Sequence, residues 1–242
     1  MSSWFIADLH LDGTRPGAIR LLLDLLEQIE GRADALYILG DLFEYWVGDD
    51  ALATPDAAVF QPVVSGLRQV HDSGVKLYFQ HGNRDFLVGE RFAEATGCTL
   101  LPEQQVIDLY GTPTLLLHGD TLCTDDVEYQ QVRKLFRNPQ WQQQFLALPL
   151  AERIRQAEAM RAQSRMSMQG KTEAILDVNQ QTVAETLKQA GVTHMIHGHT
   201  HRPAVHDFVL DGEAVQRIVL GDWHEDKGSF LAVDVKSMRL EF

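Results

Sequence analysis

Five short polar motifs carry the side chains that could do chemistry in this chain. They are Asp8-Leu9-His10, Gly40-Asp41, His81-Gly82-Asn83-Arg84-Asp85, His118-Gly119-Asp120 and His197-Gly198-His199-Thr200-His201. Carboxylates, imidazoles and one amide, with no thiolate, suit manganese, iron, cobalt or zinc better than copper(I) or an iron–sulfur cluster. Singly, each motif is ordinary, since Asp-x-His recurs by chance and Gly-Asp is a common turn. Their shared position is not ordinary: each directly follows a short apolar run.

Those runs are the elements that must position the motifs. Residues 4–7, 35–39, 76–80, 114–117 and 194–196 precede the five motifs, and 216–220 and 230–235 are of the same kind. Their length and their β-branched or aromatic content predict strands. Helical patterns lie between several of them. Pro16 opens one with Ile19, Leu22, Leu23 and Leu26 on a single face; Phe60, Val63, Val64, Leu67 and Val70 mark a second; Val183 and Leu187 mark a third, closed by Gly191. Strands alternating with helices predict an α/β sandwich with a largely buried sheet. Loops at the carboxyl ends of such strands converge on one edge, where ligands bind. Residues 124–170 break the rhythm: they read as helical, interrupted by Pro139 and Pro149. We read them as an inserted helical lid within a single domain covering 1–242.

Composition narrows the function classes. With 242 residues, 45% hydrophobic and 23% charged, the chain is typical of a globular protein with a sizeable core. No apolar stretch approaches the ~20 residues of a membrane span, and no secretory signal is visible at the N-terminus. Cys98 and Cys123, unpaired by motif, read as buried small apolar residues in a reducing compartment. A net charge of −13 argues against a general nucleic-acid binder. Yet from Asp126 to Lys171 eight Lys/Arg face four Asp/Glu, a local surplus of +4 suited to an anionic ligand or surface. The same segment carries Trp141, Phe145, Leu148, Leu150 and Ile154 among Arg133, Lys134, Arg137, Arg153, Arg155 and Arg161. That apolar stripe serves either as packing on the core or as a lining for acyl chains, and a lid can do both.

In register, Asp8-x-His10, Gly40-Asp41, Gly82-Asn83, His118 and Gly198-His199 resemble the calcineurin-like metallophosphoesterases. The resemblance implies a two-layered β-sandwich flanked by helices, with two divalent ions. It assigns Asp8, His10, Asp41 and His199 to one ion, and Asp41, Asn83, His118 and His197 to the other. Such a pair acidifies water and clamps phosphoryl oxygens. Many members have histidine after the motif asparagine; here Arg84 stands there, a poor proton donor and a good bidentate partner for phosphate. A leaving group that needs charge neutralisation fits this better than an alkoxide.

A closer resemblance is to one branch, the UDP-2,3-diacylglucosamine diphosphatases of lipid A synthesis. Residues 40–44, Trp46, 48–50, 82–87, 118–126 and 197–203 carry it. It implies hydrolysis of the acylated UDP-sugar, most readily with Mn²⁺, with Asn83, Arg84 and His118 as catalytic residues. It implies substrate contacts at Asn83, Arg84, Asp126, Tyr129, Arg161, Ser164, Met168, Lys171 and His197, although methionine makes no strong hydrogen bond at 168. Peripheral association with the anionic cytoplasmic surface of a bacterial inner membrane follows, with no nucleic acid and no obligate protein partner. Arg161, Ser164 and Lys171 would share a face at about 0°, 300° and 280° if one helix ran through all three. Asp85 and Asp120 read as supports for Arg84 or a ligand histidine, and His201 as lying just outside the ligand set. Two alternatives stay open: a phosphoesterase for another nucleotide, and an inactive scaffold of the same fold that binds proteins.

Overall fold

The computed structural model describes the backbone of residues 1–242 and all side chains except those of Pro55, Asp56, Ala57 and Met168. Strand β1 (Ser3–Ile6) runs parallel to β2 (Ala35–Ile38), β2 to β3 (Lys76–Phe79), and β3 to the short β4 (Thr99–Leu100). The sheet is completed by β10 (Phe230–Val233), antiparallel to β1, and β11 (Met238–Glu241) at the edge. A second sheet holds β5 (Gln104–Leu109), β6 (Thr112–Leu117), β7 (His194–His197), β9 (Glu213–Val219) and β8 (Ala204–Leu210), in that order. Within it, β6, β7 and β9 are parallel.

Alternation along each strand builds the layers, because successive side chains point to opposite faces. Phe5 and Ala7 meet Leu116, Ile196, Ile218 and Leu220 between the sheets. Trp4 and Ile6 face outward, onto α1 (Pro16–Ile29), α2 (Gln61–Asp72) and α3 (Glu90–Thr96) through Leu22, Leu26, Val63, Leu67 and Phe92. On the far side, Leu115, Leu117 and Met195 pack on Val183 and Leu187 of α7 (Gln180–Ala190). Two sheets back to back, each covered by helices, match the expected sandwich.

Between β6 and α7 the chain makes α4 (Val127–Phe136), α5 (Pro139–Leu146) and α6 (Leu150–Met168). Pro139 sits in the first turn of α5, where its missing N–H costs nothing, and Pro149 caps α6. Phe145 is buried, and Trp141, Leu148, Leu150 and Ile154 pack partly buried against the same cluster as α1 to α3. The apolar stripe therefore does bind the insertion to the body. One expectation fails here. Helix α6 ends at Met168 and Gly170 turns the chain at φ 94°, so Lys171 shares no helical face with Arg161 and Ser164.

Candidate metal centre

All five motifs emerge from the carboxyl ends of parallel strands: β1, β2 and β3 in one sheet, β6 and β7 in the other. The loops leave those strands under strain. Asp8, His10, Asp41, His199 and His201 all have φ between 48° and 69°, a region that costs a residue with a Cβ about 1 kcal/mol or more. Local strain of this kind is held by its surroundings, and the surroundings are on view. The carboxylate of Asp85 accepts backbone N–H bonds from Asp41, Leu42 and Gly82 at 3.2, 2.8 and 2.9 Å, with Phe43 at 3.4 Å. Asp85 thus supports the backbone around Asp41, and not the Arg84 side chain. Burial and the nearby Asp41 push its carboxyl up to about 6. Asp85→Ala would leave those buried donors unpaired at about 1–3 kcal/mol each; we expect at least ~3 kcal/mol of lost stability, read as a lower denaturant midpoint.

Two glycines are required by close approach. A Cβ on Gly82 would lie 2.0 Å from Asp41 Oδ1, and one on Gly198 would lie 2.3 Å from Asp8 Oδ2.

Inside these loops the donors fall into two groups that share a centre. Asp8, His10 and His201 can each offer an atom to one ion, and Asp8, Asp41 and His118 form an overlapping set. His10 Nε2 and His201 Nε2 face each other at 3.2 Å, and His201 Nε2 is 3.6 Å from Asp8 Oδ1. Asn83 Oδ1 lies 3.0 Å from His118 Nε2 and 2.9 Å from His199 Nδ1. Asp41 Oδ2 stands 3.9 Å from His10 Nδ1 and 3.8 Å from His118 Nε2, between the groups.

The donor chemistry fits a cation. His118 Nδ1 lies 2.8 Å from the Leu39 carbonyl, which can only accept, so Nδ1 carries the proton. Its Nε2 is then the atom that faces the Asn83 carbonyl oxygen: it donates while the ring is protonated and offers a lone pair to an ion once that proton leaves. Asp8 Oδ1 and His10 Nδ1 are buried without a hydrogen bond. A positive ion would supply the missing partner of Asp8 Oδ1 and take the place of the proton on His118 Nε2. The field is already present: burial lowers the basicity of His118, but Asp41 and Asp8 outweigh it and raise its pKa. Burial and then the charge of His118 hold His199 down at about 4, keeping it neutral as a ligand must be.

The structure corrects the sequence assignment of the last motif by two residues. His201, not His199, joins Asp8 and His10. His199, not His197, joins Asn83 and His118. His197 is turned away, with Nδ1 donating to the Gly198 carbonyl at 2.8 Å and Nε2 accepting from Arg217 Nη1 at 2.9 Å, so no lone pair remains. Burial and then Arg217 lower its pKa to about 3. The alternation of β7 explains the difference: His197 is still on the strand and shares the outer face of the sheet with Met195, while the residues after it curl inward. The signal was present in the Gly-His-x-His spacing, because two ligands one residue apart in a curled loop can reach neighbouring ions.

The insertion is fastened to the same loops. Asp120 accepts from Tyr129 Oη at 2.8 Å and Arg133 Nε at 2.7 Å, so it anchors α4 and does not support a ligand histidine. Arg137 Nη2 donates to the Gly82 carbonyl at 2.9 Å and lies over the Phe86 ring. Phe86 stacks on Phe136, which touches Trp141. Arg161 pairs with Glu44, whose other oxygen is 3.2 Å from His10 Nδ1. Lys171 Nζ contacts both oxygens of Asp126 at 2.7 and 2.9 Å. The Tyr129 ring lies 5.8 Å from that of His199, and Ser164 is exposed on α6. The Met168 side chain lies outside the described residues. Arg84 is distinct: its backbone N–H holds Asp41 Oδ1 at 2.8 Å, while its Nε is buried without a partner.

Known proteins resemble this chain over its whole length. The UDP-2,3-diacylglucosamine hydrolase of Serratia proteamaculans is 50% identical over 240 residues, 99% of this chain and 98% of its own. That of Pseudomonas paraeruginosa is 47% identical over 239 residues, with 99% and 98% covered. Among solved structures, the E. coli phosphoesterase Yfce aligns with 98% of this chain and 91% of its own at 18% identity and a TM-score of 0.46. A family model described as calcineurin-like phosphoesterase matches residues 1–203. That span contains every loop of the cation cage, and the chain belongs to the calcineurin-like phosphoesterase family.

Proposed function

We propose that this chain hydrolyses the diphosphate of UDP-2,3-diacylglucosamine, releasing UMP and 2,3-diacylglucosamine 1-phosphate for lipid A synthesis. The observation that carries the reading is a 50% identity, over nearly the whole chain, to a hydrolase of that name, in a chain whose cation cage lies beneath a basic, apolar insertion. Asp8, His10, Asp41 and His201 would hold one divalent ion, and Asp41, Asn83, His118 and His199 the other. Oxygen and imidazole donors of this kind suit Mn²⁺. Such a pair supplies Lewis-acid polarisation of the phosphoryl group and an acidified water.

The chain's own residues do the rest. Arg84 presents a guanidinium with no acidic partner among the described residues, next to the shared carboxylate of Asp41. It takes the diphosphate charge that grows as the bond to the leaving phosphate breaks. Arg161, Lys171 and Tyr129 are held ready by Glu44, Asp126 and Asp120, and substrate hydroxyls and phosphate exchange for those partners. Residues 124–170 form the lid over the acyl chains, stiffened by the Phe86–Phe136–Trp141 stack. No helix among the described residues is long and apolar enough to cross a membrane. Val127, Leu135 and Met166 are exposed on the insertion near Lys134 and Arg165, a mixture suited to resting on an anionic inner-membrane surface from the cytoplasmic side. No nucleic acid or obligate protein partner enters this reading.

A product assay decides it. With Mn²⁺, the acylated UDP-sugar is turned over, chelator stops the reaction, and plain UDP-N-acetylglucosamine is a far poorer substrate. Equal turnover of the two would favour a general nucleotide phosphoesterase. Arg84→Ala should lower kcat by roughly 10²-fold, the scale of losing one transition-state charge partner. Arg84→His should not restore it, because charge and not a proton is missing; parental activity in Arg84→His would refute the role.

A further inference from the structure

Beside the cation cage lies a second cavity of ≈ 330 Å³, between the 197–201 loop, the starts of β8 and β9's far end, and the segment carrying Asp177. Its polar lining is Thr200, Arg202, His206, Arg217 and Asp177. Asp177 is already neutralised by Arg202 at 2.8 Å. Arg217 is different. It is only 4% exposed, forms no ion pair among the described residues, and makes one hydrogen bond, to the neutral ring of His197. Its Nε is buried without an acceptor, and so is Thr200 Oγ1. A buried guanidinium without a carboxylate paired to it is costly, and Asp177, whose charge reaches Arg217, is itself paired with Arg202. Two residues that line one cavity thus each carry a buried, unsatisfied polar atom, and the group that answers both is a compact acceptor carrying negative charge.

We propose that this cavity is an oxyanion site, built to take inorganic phosphate or the phosphate of a nucleoside monophosphate on Arg217 and Thr200. A tetrahedral oxyanion matches the planar fork of a guanidinium and accepts a hydroxyl donor at the same time. The site has a mechanical connection to the cage. Arg217 holds His197, His197 holds the Gly198 carbonyl, and the next N–H, that of His199, donates to Asp8 Oδ2 at 2.7 Å. Phosphate on Arg217 therefore acts on the loop that presents His199 and His201. The groups facing Arg217 are Asp177 from the 171–179 segment, His206 from β8 and His197 from β7.

The test is a calorimetric titration of inorganic phosphate into the full-length, Mn²⁺-loaded chain and into Arg217→Met and His206→Glu. We expect the unmodified chain to bind one more phosphate per molecule than either variant, or the pocket affinity to fall at least tenfold in both. His206 is exposed on β8, so His206→Glu keeps the test decisive even if Arg217→Met does not fold. Identical stoichiometry and affinity in the unmodified chain and His206→Glu overturns the proposal. Replacing phosphate with UMP separates the two sources, an arm that rests on the proposed reaction. Tighter variant-sensitive binding of UMP identifies the nucleotide product, and equal binding identifies free phosphate. Either result supports the site, and absence of variant-sensitive binding for both ligands rejects it.

Discussion

Replacing Asp41 with alanine is expected to remove both ions and lower kcat by roughly 10³-fold or more. Asp41 Oδ2 is the carboxylate oxygen placed between His10 on one side and His118 on the other. Its Oδ1 also accepts the Arg84 backbone N–H, so the same side chain fixes the residue proposed to meet the leaving phosphate. Loss of a group that merely supports a ligand typically costs 10–100-fold; loss of the ligand common to two ions costs more, because both sites lose charge together. Asn at this position keeps the shape and one acceptor but removes the shared negative charge, and should fall between alanine and the parent. Elemental analysis of dialysed protein, run beside steady-state kinetics, checks the claim. Full turnover by metal-free Asp41→Ala would end the two-ion reading.

The second large effect separates three histidines that look alike in sequence. His201→Ala should lose about one of two bound ions and at least ~10²-fold in turnover, because His201 stands with Asp8 and His10. His199→Ala should do the same at the other ion through Asn83 and His118. His197→Ala should keep both ions, since its ring nitrogens are taken by Gly198 and Arg217. Metal content per chain is the deciding readout. Retention of two ions in His201→Ala, with one lost in His197→Ala, would restore the assignment drawn from the motif alone.

Where the sequence spoke clearly and where it did not follows from burial. Strands β1, β2, β3, β6, β7 and β9 were legible because buried positions keep their apolar content nearly continuous, and β10 because all four of its residues are apolar. The strands missed, β5, β8 and β11, lie at sheet edges with many exposed residues, and β4 is two residues long. Their polar positions interrupt the pattern that periodicity relies on. Asp8, His10, Asp41, Asn83 and His118 could be placed together because each begins a loop at a strand end. The fifth motif was harder, because a run of alternating histidines gives no sequence sign of where the strand stops and the inward curl begins. The partners of Asp85 and Asp120 could not be read either: both bind groups that are adjacent only after folding, backbone N–H groups in one case and α4 in the other.

The bond from His199 N–H to Asp8 Oδ2 closes a span of 191 residues. Each proposed four-ligand set mixes the first strand's loop or the second's with loops from the other sheet, and each is completed only by a histidine of the β7 loop. The entropy of closing so long a loop must be met by sheet pairing before any ion can gain two anchors. This places metal capture after chain assembly, the reverse of a small zinc module in which the ion organises the polypeptide. A chain that stops short of the β7 loop holds Asp8, His10, Asp41, Asn83 and His118 but lacks His199 and His201. Divalent ions then act on a chain whose sheets are already paired, adding stability by mass action to a fold they do not organise.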